Sequence, residues 1–263
     1  MERLRRWRDE GRGVPPAVAR LRATLERVEP AATAVRLPLS PELLLPGGEP
    51  TGAVTALLAD FGLTTSILAS LPDLRGVTTI TMTVDHLRVP PVSGWLLATC
   101  RAGPYDGGRP QHAAGLLHDA AGHEIARSTG WFLPAAAEPA SVERVHVVQE
   151  PPAEHLLDLL GIEPGPVFRL VAREALGNVL GSLHGGVGAL AGSLAAEAAL
   201  GRPLRPLTSA FTYLRPTPRG TSVTVTGSVV RAGRRTGSSA AVATDSDGRT
   251  TLQTTLGAAR AGA

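Results

Sequence analysis

The sequence contains no lysine, one cysteine, and among 263 residues only four phenylalanines, three tryptophans and two tyrosines. A single cysteine, Cys100, excludes an internal disulfide and any cysteine-based metal site; its simplest role is that of a small buried hydrophobe. Scarce aromatics leave little to stack on bases, and the 26 basic residues, all arginine, are spread along the chain, so a nucleic-acid partner is not expected. The formal charge is only +3, and an Arg, Ala, Gly and Pro bias of this kind reflects a GC-rich genome. No apolar run approaches the roughly 18 residues of a spanning helix, and the N-terminus lacks the order of a signal peptide. A cytoplasmic protein without a membrane partner is the expectation. His86, His118 and His123 lack metal-ligand spacing and read as solvated strand or turn positions, while His112, His146 and His155 carry no signal. No metal is expected.

What is there suffices for a sizeable core: 43% of the residues are hydrophobic, and the length admits one large domain or two modest ones. The first 13 residues are charged and arginine-rich, and Pro15-Pro16 opens a helical pattern through Leu21, Leu25 and Val28. From about Ala31 a strand-like segment leads to Pro46-Gly47-Gly48, and Thr51-Gly52 opens an apolar helix to Leu71. Residues 77–87, 95–101, 111–118 and 123–132 read as strands, with a tight hairpin turn at Asp119-Ala120-Ala121-Gly122. An Ala, Pro and Glu-rich connection follows. The same order then begins again: a strand at 167–172, a helix opened by His184-Gly185-Gly186 and running to Leu200, and strands at 207–214, 222–231, 237–244 and 250–256, with Asp245-Ser246-Asp247-Gly248 repeating the turn.

The halves match at Arg36-Leu37 with Arg169-Leu170, Gly52 with Gly185, Leu87-Arg88 with Leu214-Arg215, Arg101-Ala102-Gly103 with Arg231-Ala232-Gly233, and Gly122 with Gly248. Their order and near-constant offset indicate an internal duplication, each half a strand, a buried helix and four antiparallel strands. Two glycines at the entrance of the second helix leave its first N–H groups bare, where an oxyanion can be held. Asp60 is the only charge between Thr51 and Leu71, on an otherwise apolar helix, and a carboxylate buried there is costly unless something uses it or pairs with it.

The stretch 178–186, with Tyr213-Leu214-Arg215-Pro216, the arginine-rich run 231–235 and the turn 245–249, resembles the hotdog-fold acyl-CoA thioesterases of the phenylacetyl-CoA thioesterase type. The first half resembles them through Thr51-Gly52, Asp60 and Leu87-Arg88-Val89-Pro90. The resemblance implies an α+β chain of two tandem hotdog units, each a curved antiparallel sheet wrapped around a central helix: a helical extension at 1–30, unit 1 at 31–134, a linker at 135–152 and unit 2 at 153–263. It also implies sites between units. One unit gives Asn178, His184 and Gly185; the other gives a carboxylate nine residues past the His position, Asp60, and a strand hydroxyl, Thr79, or Thr78 if the register is off by one. The equivalents in the other site are Leu45, Thr51, Gly52, Ser193 and about Pro206, which lack the chemistry, so one live and one degenerate site are expected. Glu197, a rival acid there, reads as a solvent-facing or helix-end residue.

On that reading, Gly185 N–H polarises a thioester carbonyl, Asp60 attacks it or deprotonates water, Asn178 and Thr79 position water or carboxylate, and His184 braces the loop. Coenzyme A is part of the substrate rather than a cofactor, with Arg231, Arg234 and Arg235 as a candidate phosphate anchor; a solvated basic turn is the alternative. Leu57, Phe61, Leu63 and Met82 suggest an apolar acyl pocket. The expected function is hydrolysis of acyl-CoA to acid and free CoA. The alternatives are a catalytically silent hotdog that binds acyl-CoA or serves in assembly, and, third, a dehydratase. A homodimer of double hotdogs is the family expectation for the partner.

Overall fold

The computed structural model describes residues 2–11, 13–72, 76–107, 109–134, 150–201 and 204–260. His146 and nearly all of the expected linker lie outside the described residues. In chain order the elements are α1 (Glu2–Glu10), α2 (Pro16–Arg20), β1 (Thr24–Glu29), β2 (Ala32–Leu39), α3 (Ala53–Ser70), β3 (Val77–His86), β4 (Gly94–Ala102), β5 (Gln111–Asp119) and β6 (Glu124–Pro134). They continue with α4 (Leu156–Leu160), β7 (Val167–Val171), α5 (Gly185–Leu200), β8 (Arg205–Tyr213), β9 (Ser222–Ala232), β10 (Thr236–Thr244) and β11 (Thr250–Ala259).

The eleven strands among the described residues form one sheet in the order β1-β2-β4-β5-β6-β3-β8-β11-β10-β9-β7, with antiparallel pairing throughout. Read inward from each end, β2-β4-β5-β6-β3 and β7-β9-β10-β11-β8 follow the same internal order of first, third, fourth, fifth and second strand. The two sets meet where β3 pairs with β8, from Thr81 opposite Thr212 to Asp85 opposite Thr208. The β5–β6 and β10–β11 hairpins turn in the same way. Asp119 Oδ1 accepts from the N–H groups of Ala121 and His123, and Asp245 Oδ1 from those of Asp247 and Arg249. Gly122 and Gly248 take φ of 83° and 76°, a region that an L side chain rarely enters.

Helix α3 packs on β2 to β6, α5 on β7 to β11, and the two helices on each other. That double contact explains why both are apolar all round rather than striped. The expectation about apolar runs is corrected here: Ala53–Ser70 spans 18 residues with mean hydropathy 1.5, long and apolar enough to cross a membrane, and it is 83% buried inside the fold, as the core helix of the first half.

The N-terminal reading is corrected as well. The helix opened by Pro15-Pro16 ends at Arg20, and Arg22 takes a left-handed φ of 55° before β1 adds a strand beside β2. A bulge between Leu25 and Arg27 shifts the pleat by one residue, so the two buried positions, Leu25 and Val28, stand three apart and imitate helical spacing.

Candidate active site

Strand β3 runs from a mixed inner and outer alternation into the site. Met82, Val84 and His86 point inward, and strict alternation would place Ile80 and Thr78 inward too. A bulge between Thr79 and Thr81 reverses that phase. Thr79 is therefore the buried residue and Thr78 the exposed one, the bulge re-aiming one side chain towards Asp60.

Asp60 lies in the middle of α3 and is 1% exposed. Its Oδ1 accepts from Thr79 Oγ1 at 2.8 Å, and its Oδ2 lies 3.3 Å from His184 Nδ1. Those partners come from β3 and from the other half of the chain, and they offset part of the cost of burying the carboxyl group. A Cβ built on Gly185 would sit 3.0 and 3.1 Å from the two carboxylate oxygens. Only glycine lets the entrance of α5 approach Asp60 so closely.

His184 is the N-cap of α5. Its Nδ1 accepts from Gly186 N–H at 3.2 Å, and its ring meets Phe61 edge-on with centroids 4.5 Å apart. The same nitrogen cannot accept from Gly186 and donate to Asp60 at one moment. One proton between Oδ2 and Nδ1 thus decides how the carboxyl and imidazole groups face each other. Gly185 is the first residue of the helix, so its N–H has no intrahelical acceptor and carries the positive end of the helix dipole.

Tyr213, at the end of β8, received no role from sequence. Its phenol donates to Gly185 O at 3.0 Å, fixing the peptide that follows the bare N–H. Burial and then the Asp60 charge push its ionisation well above the usual tyrosine range, so it remains a donor. The signal for it was a tyrosine at a strand end, whose polar tip needs a partner when the ring is buried.

These groups open on a cavity of about 490 Å³ that Asp60, Thr79, Asn178, His184, Gly185 and Tyr213 all line. Asn178 belongs to its wall but is occupied otherwise than expected. Its Nδ2 donates to Ser182 Oγ and Leu183 O, and its Oδ1 accepts from Leu180 and Ser182 N–H, so it staples the loop that leads into α5. Leu57, Phe61, Leu63 and Met82 are packed core and do not line the cavity. Arg231, Arg234 and Arg235 are not brought to it either. Their turn lies against Leu200 and Leu204 through Gly237, at the far end of a 16-residue helix, about 24 Å from the Gly185 entrance. Arg215 is the cation in the cavity wall, with Nη1 bonded to Thr250 O at 2.7 Å.

The equivalent position in the other orientation is filled. Cβ atoms on Gly52 would meet His86 Nδ1 and Pro206 Cγ, each at 3.3 Å. Pro206 stands where Thr79 stands in the first half, beside the matching bulge on β8. Ser193 Oγ is buried without a partner. The acid that reaches the α3 entrance is Glu197, whose Oε2 accepts from Thr51 Oγ1 at 3.0 Å, and burial raises its pKa to about 7. The solvent-facing reading of Glu197 is thereby corrected. So is that of His86, which is 5% exposed, lies between Thr55 Oγ1 and Ser209 Oγ, and is driven by burial down to about 4. Among the described residues no group of three or more His, Cys, Asp or Glu could hold a metal.

A family model described as the thioesterase superfamily matches residues 180–252. No curated protein matches the sequence. Solved structures share the whole architecture at low identity. The tesB protein of Mycobacterium avium subsp. paratuberculosis superposes with a TM-score of 0.61 at 10% identity, over 92% of this chain and 97% of that one. A thioesterase II candidate from Thermobifida fusca gives 0.61 at 15% identity, over 95% and 100%. The 12:0-ACP thioesterase from Umbellularia californica gives 0.58 at 11%, over 86% and 93%. The chain has the hotdog-like fold of these thioesterases, with its large antiparallel sheet and few helices.

Proposed function

We propose that this protein is a thioester hydrolase acting on acyl-CoA, built as two tandem hotdog units with one live active site between them. The observation that carries the reading is a buried carboxylate on α3 facing the bare amide end of α5 across a cavity: Asp60 held by Thr79 at 2.8 Å, beside His184 at 3.3 Å and against Gly185. The repeated strand order and the superposition over whole thioesterase chains support the two-unit part of it.

In the mechanism, the thioester carbonyl oxygen accepts a hydrogen bond from Gly185 N–H, and the charge that develops on it meets the helix dipole in a mostly apolar cavity. Thr79 holds Oδ1 and leaves Oδ2 to react. Two routes fit this geometry. Asp60 attacks the carbonyl carbon, expelling the thiolate and forming a mixed anhydride that water opens, or it takes a proton from a water that attacks the carbon. Either route ends in a carboxylic acid and a free thiol. His184 fixes the entrance through Gly186, Tyr213 fixes the next peptide, and Asn178 holds the loop. Arg215 replaces the distant arginine turn as the anchor for the phosphates of the thiol carrier.

A silent binder would use the same cavity but gains nothing from a carboxylate buried beside a helix N-terminus, so hydrolysis is the favoured reading. A thiol-release assay over short, medium, long and aromatic acyl-CoAs tests it. Hydrolysis of at least one class is expected; tight binding with no release above background in any of them would hand the case to the silent binder.

A further inference from the structure

We propose, resting on the thioesterase reading, that α1 is an adjustable wall of the acyl pocket and that Trp7, with Leu4, sets the largest acyl group accepted. In the sequence of this helix, ERLRRWRDE, Leu4 and Trp7 are the only apolar residues. They are 2% and 7% exposed, and both line the cavity onto which Asp60 opens. A nine-residue helix is not stable alone, so packing holds it in place, and the apolar part of that packing is made by the same two side chains. It lies against β1 and α3.

The cavity is lined by two chemically different sets of residues. Asn178, Thr217 and Arg215 suit the amides and phosphates of a thiol carrier. Leu4, Trp7 and Leu68 present mainly apolar surface, which suits an alkyl or aryl group. Thr64 and Leu68, one and two turns beyond Asp60 on α3, both line the cavity, so it extends about 12 Å along that helix from the carboxylate.

Of the remaining apolar wall, Val179, Leu180 and Leu183 stand on the loop that Asn178 staples, and Leu170, Val223, Val225 and Ala243 on strands tied into the sheet by their ladders. The strand part cannot change shape without disturbing the sheet. Helix α1 is connected differently. It leads into Gly11 and Gly13, both at left-handed φ (65° and 73°), and has no ladder to break. An acyl group too long for the pocket therefore competes with Trp7 for the same space.

The test is a profile of kcat/KM over saturated straight-chain acyl-CoAs for the wild type, Trp7→Leu and Trp7→Ala. One methylene in an apolar pocket is worth roughly 10–200-fold in discrimination. Trp7→Ala should thus raise chains longer than the wild-type optimum at least about tenfold relative to that optimum, with Trp7→Leu intermediate. Variants that hydrolyse with an unchanged profile overturn the wall and leave the thioesterase reading intact. A wild type that hydrolyses no thioester overturns that reading, and this one with it. Should Trp7→Ala fail to fold, fluorescence decides: in the Trp95→Phe, Trp131→Phe chain, a non-hydrolysable long-chain acyl-CoA thioether should shift the Trp7 emission while CoA alone does not. Identical spectra with both ligands refute the proposal.

Discussion

Asp60→Asn separates the chemistry of the site from its architecture. The amide has the shape of the carboxylate. Its oxygen can still accept from Thr79 Oγ1, now 2.8 Å from Oδ1, and its nitrogen, standing where Oδ2 is, lies 3.3 Å from His184 Nδ1, whose one lone pair it would share with Gly186 N–H. Since the side chain is 1% exposed, removal of its charge relieves burial rather than adding to it. Folding should be unharmed and the melting temperature equal or higher. Turnover should collapse. Loss of a general base costs about 10²–10⁴ in rate, roughly 3–5.5 kcal/mol of barrier, and loss of a nucleophile costs more. Steady-state thiol release gives the rate, and titration with a non-hydrolysable acyl-CoA thioether gives affinity, expected within a few-fold of wild type. Ser193→Ala alters the matching residue on α5 and should leave turnover within a few-fold. If Asp60→Asn keeps turnover within tenfold, or Ser193→Ala abolishes it, the assignment of live and silent sites is wrong.

Much of the fold was legible because its signals are local. Both core helices stand out as apolar stretches behind a glycine entrance, and both hairpins as an Asp that closes its own turn three residues before a glycine. Strand β1 was not legible, because a bulge gave its buried pair a helical spacing. Helix α4 was missed for a different reason. Five residues make little more than one turn, and its ends are set by His155, whose Nδ1 accepts from Asp158 N–H, and by Gly161 at φ 67°. No periodicity can register over so short a span. The β3–β8 pairing that makes one sheet of two sets depends on strand edges meeting across the chain, which no local pattern encodes.

The site divides along the same line. Asp60 announced itself as one charge in an apolar helix, and Gly185 and His184 as a helix entrance. Thr79 needed the bulge, which breaks the alternation that sequence reasoning relies on. Tyr213, Glu197 and His86 were missed or misread because their partners lie on other elements: Gly185, Thr51, and Thr55 with Ser209. The arginine turn stood out as a candidate phosphate anchor without indicating which of the two sites it faced, and in space it lies at the far end of α5 from Gly185. Spacing along a strand says which face a residue occupies, not which end of the neighbouring helix that strand reaches.

Other variants probe the candidate site and the matching position at the α3 entrance. Gly185→Ala puts a methyl 3.0 Å from the Asp60 carboxylate; the carboxylate must move, and kcat should fall about 10²-fold with little change in KM. Tyr213→Phe removes one hydrogen bond to Gly185 O, worth about 0.5–1.5 kcal/mol, so kcat should drop roughly 2–10-fold with binding retained; an unchanged kcat would deny Tyr213 its positioning role. Stability should have opposite pH slopes from two buried groups. His86 titrates near 4 in the fold against 6.5 otherwise, so as pH falls from 6.5 towards 4 the unfolded chain takes up a proton that the folded chain refuses, and stability is lost. Glu197 titrates near 7 against 4.5; its contribution is complete below 4.5 and is lost as pH rises through 7, because the folded chain retains a proton that the unfolded chain releases. Each is worth about 3 kcal/mol at most, and because the windows overlap the opposite slopes nearly cancel between pH 4.5 and 6.5, leaving a plateau from these two groups at mildly acidic pH. Glu197→Gln keeps an acceptor for Thr51 while removing the titration, so its melting temperature should rise from pH 5 to 6.5 under His86 alone and then hold level, where that of the wild type stays nearly flat to 6.5 and declines towards pH 7. Parallel curves for the two proteins would mean that Glu197 is solvated and ionises as an ordinary glutamate.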